Sequence, residues 1–283
     1  METTDGISFA CQTYSWQMSG ERYRGQLDHI GRVISEAGFQ GFEPEPYMLG
    51  DFSNARRLAD ILAEYDLKLA SVAYAAEWRH EVETSEERAE ADQIITLVGS
   101  FPPAKLVLVQ LPGNDRAELQ VRQKSAIACM NAVGHRALDA GLRPTVHPNS
   151  PPGSIFRVST DYETLLASLD PEIGFTPDVG HVAAGGMDPL ATIKRYRERV
   201  DHIHFKDIHD DESWAATGEG RIQFREITTF LAGTGYDGWI VMEDESEGAK
   251  LDPDTATRRN GVFASQALVP AIRLGSTHRG EDL

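Results

Sequence analysis

Short runs of β-forming residues alternate with amphipathic helical stretches along almost the whole chain, and this alternation limits the fold more than any other feature. Parallel strands need a crossover of a dozen or more residues, normally a helix, so the rhythm commits the chain to a parallel sheet covered by helices. The strand segments fall at Ser8–Gln12, Gly41–Glu43, Lys68–Ala73, Leu106–Leu111, Arg143–His147, Ile173–Asp178, His202–Lys206 and Trp239–Glu243. Eight is the number at which such a sheet closes on itself, and 283 residues suit one domain of that kind. The expected architecture is therefore α/β, a single-domain (β/α)8 TIM barrel over residues 1–274, followed by a loose polar tail at 275–283.

Local signals support this segmentation. Leu58, Ile61, Leu62 and Tyr65 share one helical face, as do Leu165, Leu166 and Leu169. Thr84 with Glu87 and Thr160 with Glu163 have the spacing of capping boxes, and Asp188–Pro189 has the form of a helix start. Gly38, Gly141 and Gly235 fall where a helix ends and the chain turns toward the next strand, a position that often needs a left-handed residue.

Charge and composition narrow the function. A formal charge of −17 repels phosphate backbones, and no Lys/Arg run overrides it, so no nucleic-acid partner is expected. The segment Met1–Trp16 lacks a basic region followed by an apolar stretch, and no run of about 18 apolar residues occurs, so neither export nor membrane spanning is expected and a cytoplasmic location follows by default. Cys11 and Cys129 are too few for a disulfide framework or a cysteine zinc site.

Strand periodicity then locates a site. Side chains alternate between faces, so every second residue of a barrel strand points inward. His202, His204 and Lys206 oppose Ile203 and Phe205; Glu243 opposes Met242; Asp178 opposes Pro177; Thr145 and His147 oppose Val146. The ionisable residues stand at the C-terminal strand ends, where barrel enzymes assemble their chemistry. His147, Asp178, His204 and Glu243 thereby become candidate ligands of one divalent metal ion. Two imidazoles and two carboxylates suit Mn, Zn, Co, Mg or Fe better than copper or calcium, and without a cation the four would repel or desolvate one another.

The segments Thr145-Val-His-Pro-Asn149, Pro177-Asp-Val-Gly-His181, His202-Ile-His-Phe-Lys-Asp207 and Trp239-Ile-Val-Met-Glu243 resemble those of the xylose-isomerase-like barrel superfamily, from about Gly6 to Phe263. That superfamily includes sugar isomerases and epimerases, inosose and 3-dehydroshikimate dehydratases, C-glycoside deglycosidases and endonuclease-IV-type repair enzymes. The resemblance implies a metal held by Glu, Asp, His and Glu from the last four strands, which fall on Thr145, Asp178, His204 and Glu243. Threonine is a poor ligand, so either His147 takes over or the ion has three protein ligands and water. The mismatch also removes one of the paired glutamates that epimerases of this kind use as bases, whereas the dehydratases use a histidine of the Val-His-Pro-Asn type, matched by His147.

The resemblance implies proton abstraction next to a carbonyl of a keto-sugar, keto-glycoside or keto-cyclitol followed by elimination, with isomerisation or epimerisation as the alternative. A DNA-cleaving enzyme is disfavoured by the charge and by nine histidines in all, and a non-catalytic subunit is the remaining class. Glu43 reads either as a second acid/base group or as a rim carboxylate bonded to backbone amides, and Glu45 as a loop residue. Lys206 reads as a catalytic contact to a substrate oxygen, or else as an ion-pair partner of Asp207. Gln12, Gln110 and His181 are candidate substrate contacts, as is Trp16, which with Tyr74 and Trp78 reads either as an aromatic wall or as core. The expected partner is a small sugar-like molecule, with a homo-oligomer or a small accessory subunit both compatible.

Overall fold

The computed structural model describes residues 6–278. Its contacts divide the chain into two compact units, one of Met1–Ala70 with Asp201–Leu283 and one of Ser71–Val200. The first holds strands β1 (Ser8–Gln12), β2 (Gly41–Glu43), β3 (Lys68–Leu69), and the second holds β4 (Ser71–Ala76), β5 (Lys105–Gln110), β6 (Arg143–Val146) and β7 (Gly174–Phe175). Strands β8 (His202–Phe205), β9 (Asp207–Ile208), β10 (Trp214–Ala215) and β11 (Trp239–Met242) complete the first unit.

In the first unit the sheet order is β3-β2-β1-β11-β8, and every pairing in it is parallel. β9 and β10 form a separate antiparallel pair. The second unit has the parallel order β4-β5-β6-β7. All eight expected strand segments exist, but only Ser8–Gln12 and Gly41–Glu43 keep their bounds, and those expected at 106–111, 202–206 and 239–243 are each shifted or shortened by one residue. The expected strand Lys68–Ala73 is longer and divides at Ala70, its first part pairing with β2 and its second with β5. The expected Ile173–Asp178 shrinks to Gly174–Phe175, because Asp178 leaves the ladder to cap the helix Val179–Ala184. His147 lies just past β6, although its amide still donates to the Leu108 carbonyl.

Helices cover the apolar faces. Leu58, Ile61 and Leu62 are the buried face of the helix Ala55–Glu64, as the 3.6-residue period requires. Phe205, on the outer face of β8, packs against Phe224 of the helix Phe224–Gly233 with ring centroids 5.0 Å apart. Thr84 and Glu87 form a reciprocal capping box, and Asp188 caps the helix that begins at Pro189. The expected box at Thr160 and Glu163 does not form. The helix Ser159–Ser168 starts two residues earlier than that box requires, and the Asp161 carboxylate instead accepts the amides of Arg157 and Val158. Gly38, Gly141 and Gly235 have φ of +86°, +79° and +76°, the left-handed turns expected of them.

The expected loose tail is also corrected, because the final helix, Val269–His278, extends beyond Gly275. A side chain at Gly275 would sit 2.3 Å from the Thr229 carbonyl, so glycine lets this helix lie directly on Phe224–Gly233. Arg279–Leu283 fall outside the described residues. No helix among the described residues is long and apolar enough to cross a membrane.

Candidate active site

In the first unit the inward residues of β1, β2, β8 and β11 form a graded column. Trp239 packs its ring against Gly41, where even a Cβ would come within 2.9 Å, and Ala10 with Val241 continues an apolar layer. On the same strand faces His202 stands level with Trp239 and His204 level with Val241, and beyond them come Gln12, Glu43 and, after the strand ends, Lys206 and Glu243. All six are buried. Period-two alternation explains why ionisable groups concentrate on one face while Ile203, Phe205, Ile240 and Met242 pack on the other.

These side chains are joined in series. His202 Nε2 lies 2.7 Å from Glu43 Oε2, and His204 Nε2 lies 3.0 Å from Glu43 Oε1. The other nitrogen of His204, Nδ1, stands 3.0 Å from Glu243 Oε2. Lys206 Nζ donates to Glu243 Oε1 at 3.4 Å and to Glu245 Oε1 at 2.7 Å, with its ammonium 4.8 Å from the centre of the Trp214 ring. Burial alone would depress the His204 imidazole, but the Glu43 charge and hydrogen bonds to Glu243 and Glu43 overcome it and lift the pKa to about 10. Burial opposes ionisation of Glu43, yet the facing His204 and His202 hold its carboxyl well below the usual range.

Further out in the same unit, Glu45 Oε1 accepts from Gln12 Nε2 at 3.3 Å and Oε2 from Gln17 Nε2 at 2.9 Å. Gln12 also accepts the Tyr14 amide through Oε1. Burial pushes the Glu45 carboxyl up to about 7. For Glu245 burial raises the carboxyl and Lys206 lowers it, with a net rise to about 7.

In the second unit, His147 Nε2 stands 3.7 Å from Asp178 Oδ2, both residues being buried. The other oxygen of Asp178 accepts the His181 amide at 2.9 Å, which fixes the carboxylate at the start of its helix. Ser150 Oγ lies 2.7 Å from His181 Nδ1, and the His181 ring meets the His147 ring edge-on at 5.6 Å between centroids. After His147 the chain is held down by Asn149, whose Nδ2 donates to the Gln110 carbonyl at 2.7 Å. Thr145 is fully buried with its hydroxyl 2.9 Å from that of Thr176, a neutral pair where the resemblance calls for a carboxylate ligand.

Several expected residues have settled surroundings. Trp16 is buried completely in the helix Tyr14–Gln17 and donates from its indole to Asp254 at 2.8 Å, the core alternative for that residue. Tyr74, within β4, and Trp78 are likewise buried. Gln110 turns its amide onto the Glu77 and Leu111 carbonyls. Lys206 pairs with Glu243 and Glu245 rather than with Asp207, which accepts backbone amides from Ile208, Gly218, Gly220 and Ile222. Sequence reasoning passed over His202, although its position on the His204 face marks it, and Glu245 and Ser150, which lie beyond strand ends where no periodicity speaks.

The contacts also fit a divalent ion. Two ligands bonded at about 2.1 Å on one ion lie roughly 3.0–3.5 Å apart. The His204–Glu243 separation of 3.0 Å matches that range, and the His147–Asp178 separation of 3.7 Å lies just above it. Imidazole nitrogens beside carboxylate oxygens form the donor class of Zn and Mn sites.

A family profile described as xylose isomerase-like TIM barrel matches residues 32–263. Among curated proteins, an inosose dehydratase of Lacticaseibacillus casei is 29% identical over a stretch covering 44% of this chain and 47% of that protein. The chain thus spans about half the length of these first relatives. An inosose dehydratase of Lactiplantibacillus plantarum is 25% identical over 87% of this chain and 91% of its own. Among solved structures, a probable 3-DHS dehydratase of Bacillus anthracis has a TM-score of 0.74 at 14% identity, covering 92% of this chain and 99% of its own. The E. coli 3-keto-D-glucoside 4-epimerase has a TM-score of 0.70 at 16% identity, covering 92% and 98%. The protein described as IOLI with a binding zinc atom reaches 0.71 at 15% identity, covering 90% and 96%.

Proposed function

The chain belongs to the xylose isomerase-like TIM barrel family, and from that premise we propose that it is a metal-dependent lyase that removes a proton beside a carbonyl of a keto-sugar, keto-glycoside or keto-cyclitol and then eliminates a β-substituent. Asp178, His204 and Glu243, all buried, would hold one divalent ion, with His147 either a fourth ligand or, the role taken here, the base. Zinc and manganese are the ions to test first, zinc because a structural relative is described with it. When bound, the ion supplies a Lewis acid that polarises the substrate carbonyl and stabilises the negative charge left by deprotonation. The observation that carries this reading is the pair of buried imidazole–carboxylate contacts, His147–Asp178 and His204–Glu243.

His147 is the base. It takes the proton from the carbon next to the carbonyl, the β C–O bond breaks, and the same proton passes to the departing oxygen, so that the hydroxyl leaves as water or the aglycone as its alcohol. Lys206 holds a substrate oxygen through its ammonium, and His181, Gln12 and Gln110 bind hydroxyls. Thr145 is the reason for preferring elimination, since a two-base epimerisation needs a second carboxylate and this position offers only a hydroxyl held by Thr176. The protein works without nucleic acid or membrane, in the cytoplasm, as a homo-oligomer or with a small accessory subunit.

The test incubates metal-loaded protein with candidate ketoses, 3-keto-glycosides and inososes in deuterated water. Loss of water or of an aglycone supports the lyase, and His147→Ala should abolish it. Deuterium retained in an isomeric product instead makes the protein an isomerase or epimerase. Purified protein that takes up neither zinc nor manganese removes the basis of both readings.

A further inference from the structure

Glu45, two residues past the end of β2, is gripped by two side-chain amides, Gln12 Nε2 donating to Oε1 at 3.3 Å and Gln17 Nε2 donating to Oε2 at 2.9 Å. Gln12 is buried, whereas Glu45 and Gln17 are only half-buried, so the carboxylate is anchored at depth and still accessible. Tyr14 stands among the neighbouring acids: burial, then the charges of Glu245, Glu45 and Glu243, push its phenol up to about 12. Lys206 is the cation of this cluster. Its ammonium is already engaged by Glu245 at 2.7 Å, by Glu243 at 3.4 Å and by the Trp214 ring at 4.8 Å.

Holding an anionic group takes Arg or Lys side chains, or a fan of backbone amides. This cluster instead sets the carboxyls of Glu45, Glu243 and Glu245 against one ammonium. A divalent ion would be offset by Asp178 and Glu243, which still leaves Glu45 and Glu245 against Lys206. In the second unit the two arginines that hold the loop after His147 are committed as well, Arg116 to Asp161 and the Ser154 carbonyl, and Arg157 to the carbonyls of Ser150 and Ala184. A carboxylate suits a different partner. It offers about four acceptor positions, and where amides take one on each oxygen, as on Glu45, the remainder suit hydroxyl protons. We propose that the part of the substrate held by the first unit is an uncharged polyol and that Glu45 selects it, accepting neighbouring hydroxyls while, together with Glu245, it repels a phosphate or a carboxylate. The proposal rests on the functional reading above, in which a keto-sugar binds at these strand ends, and narrows it by excluding sugar phosphates and keto-acids.

Ligand-observed NMR titration of zinc-loaded protein at pH 8 tests it, with paired probes that carry no ketone: myo-inositol against myo-inositol 1-phosphate, and glucose against glucuronate. The neutral member of each pair binds wild type at least about 10-fold more tightly than the charged one. Glu45→Ala removes the acceptor and weakens the neutral probes roughly 10-fold. Glu45→Gln keeps an acceptor oxygen without the charge, so it holds the neutral probes and narrows their lead over the charged ones. A charged probe that binds wild type as tightly as its neutral counterpart overturns the proposal, as does failure of both neutral probes to bind, and neither comparison depends on a variant that folds. Neutral probes indifferent to Glu45→Ala overturn the role of Glu45. The lyase reading fails separately, when the neutral probes bind but no ketose, 3-keto-glycoside or inosose is turned over, whereas turnover of a phosphorylated or carboxylated substrate leaves the lyase and overturns the selectivity.

Discussion

Replacing Lys206 by Met should destabilise the metal-free protein by an amount that grows with pH. The ammonium is completely buried, 2.7 Å from Glu245 and 3.4 Å from Glu243, and stands over the Trp214 ring. Met preserves the length of the stem but strands both carboxylates. At pH 6 the cost is limited to lost charged hydrogen bonds, about 1–3 kcal/mol, because Glu245 can hold a proton. Its carboxyl already titrates near 7 in the wild type, where burial raises it and Lys206 pulls it down. Without Lys206 it rises further. The folded variant then keeps a proton that the unfolded chain, with an ordinary carboxyl near 4.5, has lost, so its stability falls from about pH 4.5 upward and, above pH 7 where wild type has released that proton too, the gap between the two widens. Each pH unit adds up to about 1.4 kcal/mol, until the roughly 3–5 kcal/mol cost of an uncompensated buried charge is reached near pH 9. Urea denaturation of metal-free wild type, Lys206→Met and Lys206→Met/Glu245→Gln at pH 6 and pH 9 measures this, and the double variant should lose the pH-dependent part. Equal destabilisation at both pH values, or a Met variant as stable as wild type at pH 9, would refute the argument.

Two further expectations concern stability. Burial lifts Glu45 to about 7 from an unfolded value of 4.5, so it contributes stability fully below pH 4.5 and loses it as pH rises to 7. Relative to wild type, Glu45→Gln should flatten that fall, worth about 3 kcal/mol at most, and thermal melts at pH 4.5 and pH 8 that move in parallel for the two proteins would show the assignment to be mistaken. Asp161, buried, accepts Arg116 at 2.8 and 3.0 Å, Gln123 at 3.0 Å and the amides of Arg157 and Val158 at 3.0 Å. Asp161→Ala should therefore cost roughly 3–5 kcal/mol in urea denaturation, and a loss below about 1 kcal/mol would mean that water replaces these bonds.

Much of this was readable in the residues themselves because backbone periodicity is a local property. The three glycine turns, the Thr84–Glu87 box and the Asp188 cap depend on a few consecutive residues and appear where expected. The face shared by His202, His204 and Lys206 follows from the two-residue period of β8, and their burial agrees with it. The Thr160–Glu163 box failed because the helix already begins at Ser159, where Asp161 accepts the Arg157 and Val158 amides while pairing with Arg116, a partner 45 residues away. Ile173–Asp178 shortened for a comparable reason, since Asp178 is a better helix cap than a strand residue. Glu245 gave no signal, because a residue two positions past a strand end has no periodicity to betray its direction.

Local chemistry in the chain determined which side chains gather at the strand ends and which face each of them takes. Tertiary structure decided the pairings among them. That Glu43 meets two histidines, that Lys206 chooses Glu245 over Asp207, and that Trp16 turns inward to Asp254 all depend on curvature and register accumulated over several strands. The physical reason is one of range. Strand alternation acts over about 7 Å along one segment, whereas a partner across a curved sheet is chosen by the summed geometry of every strand between.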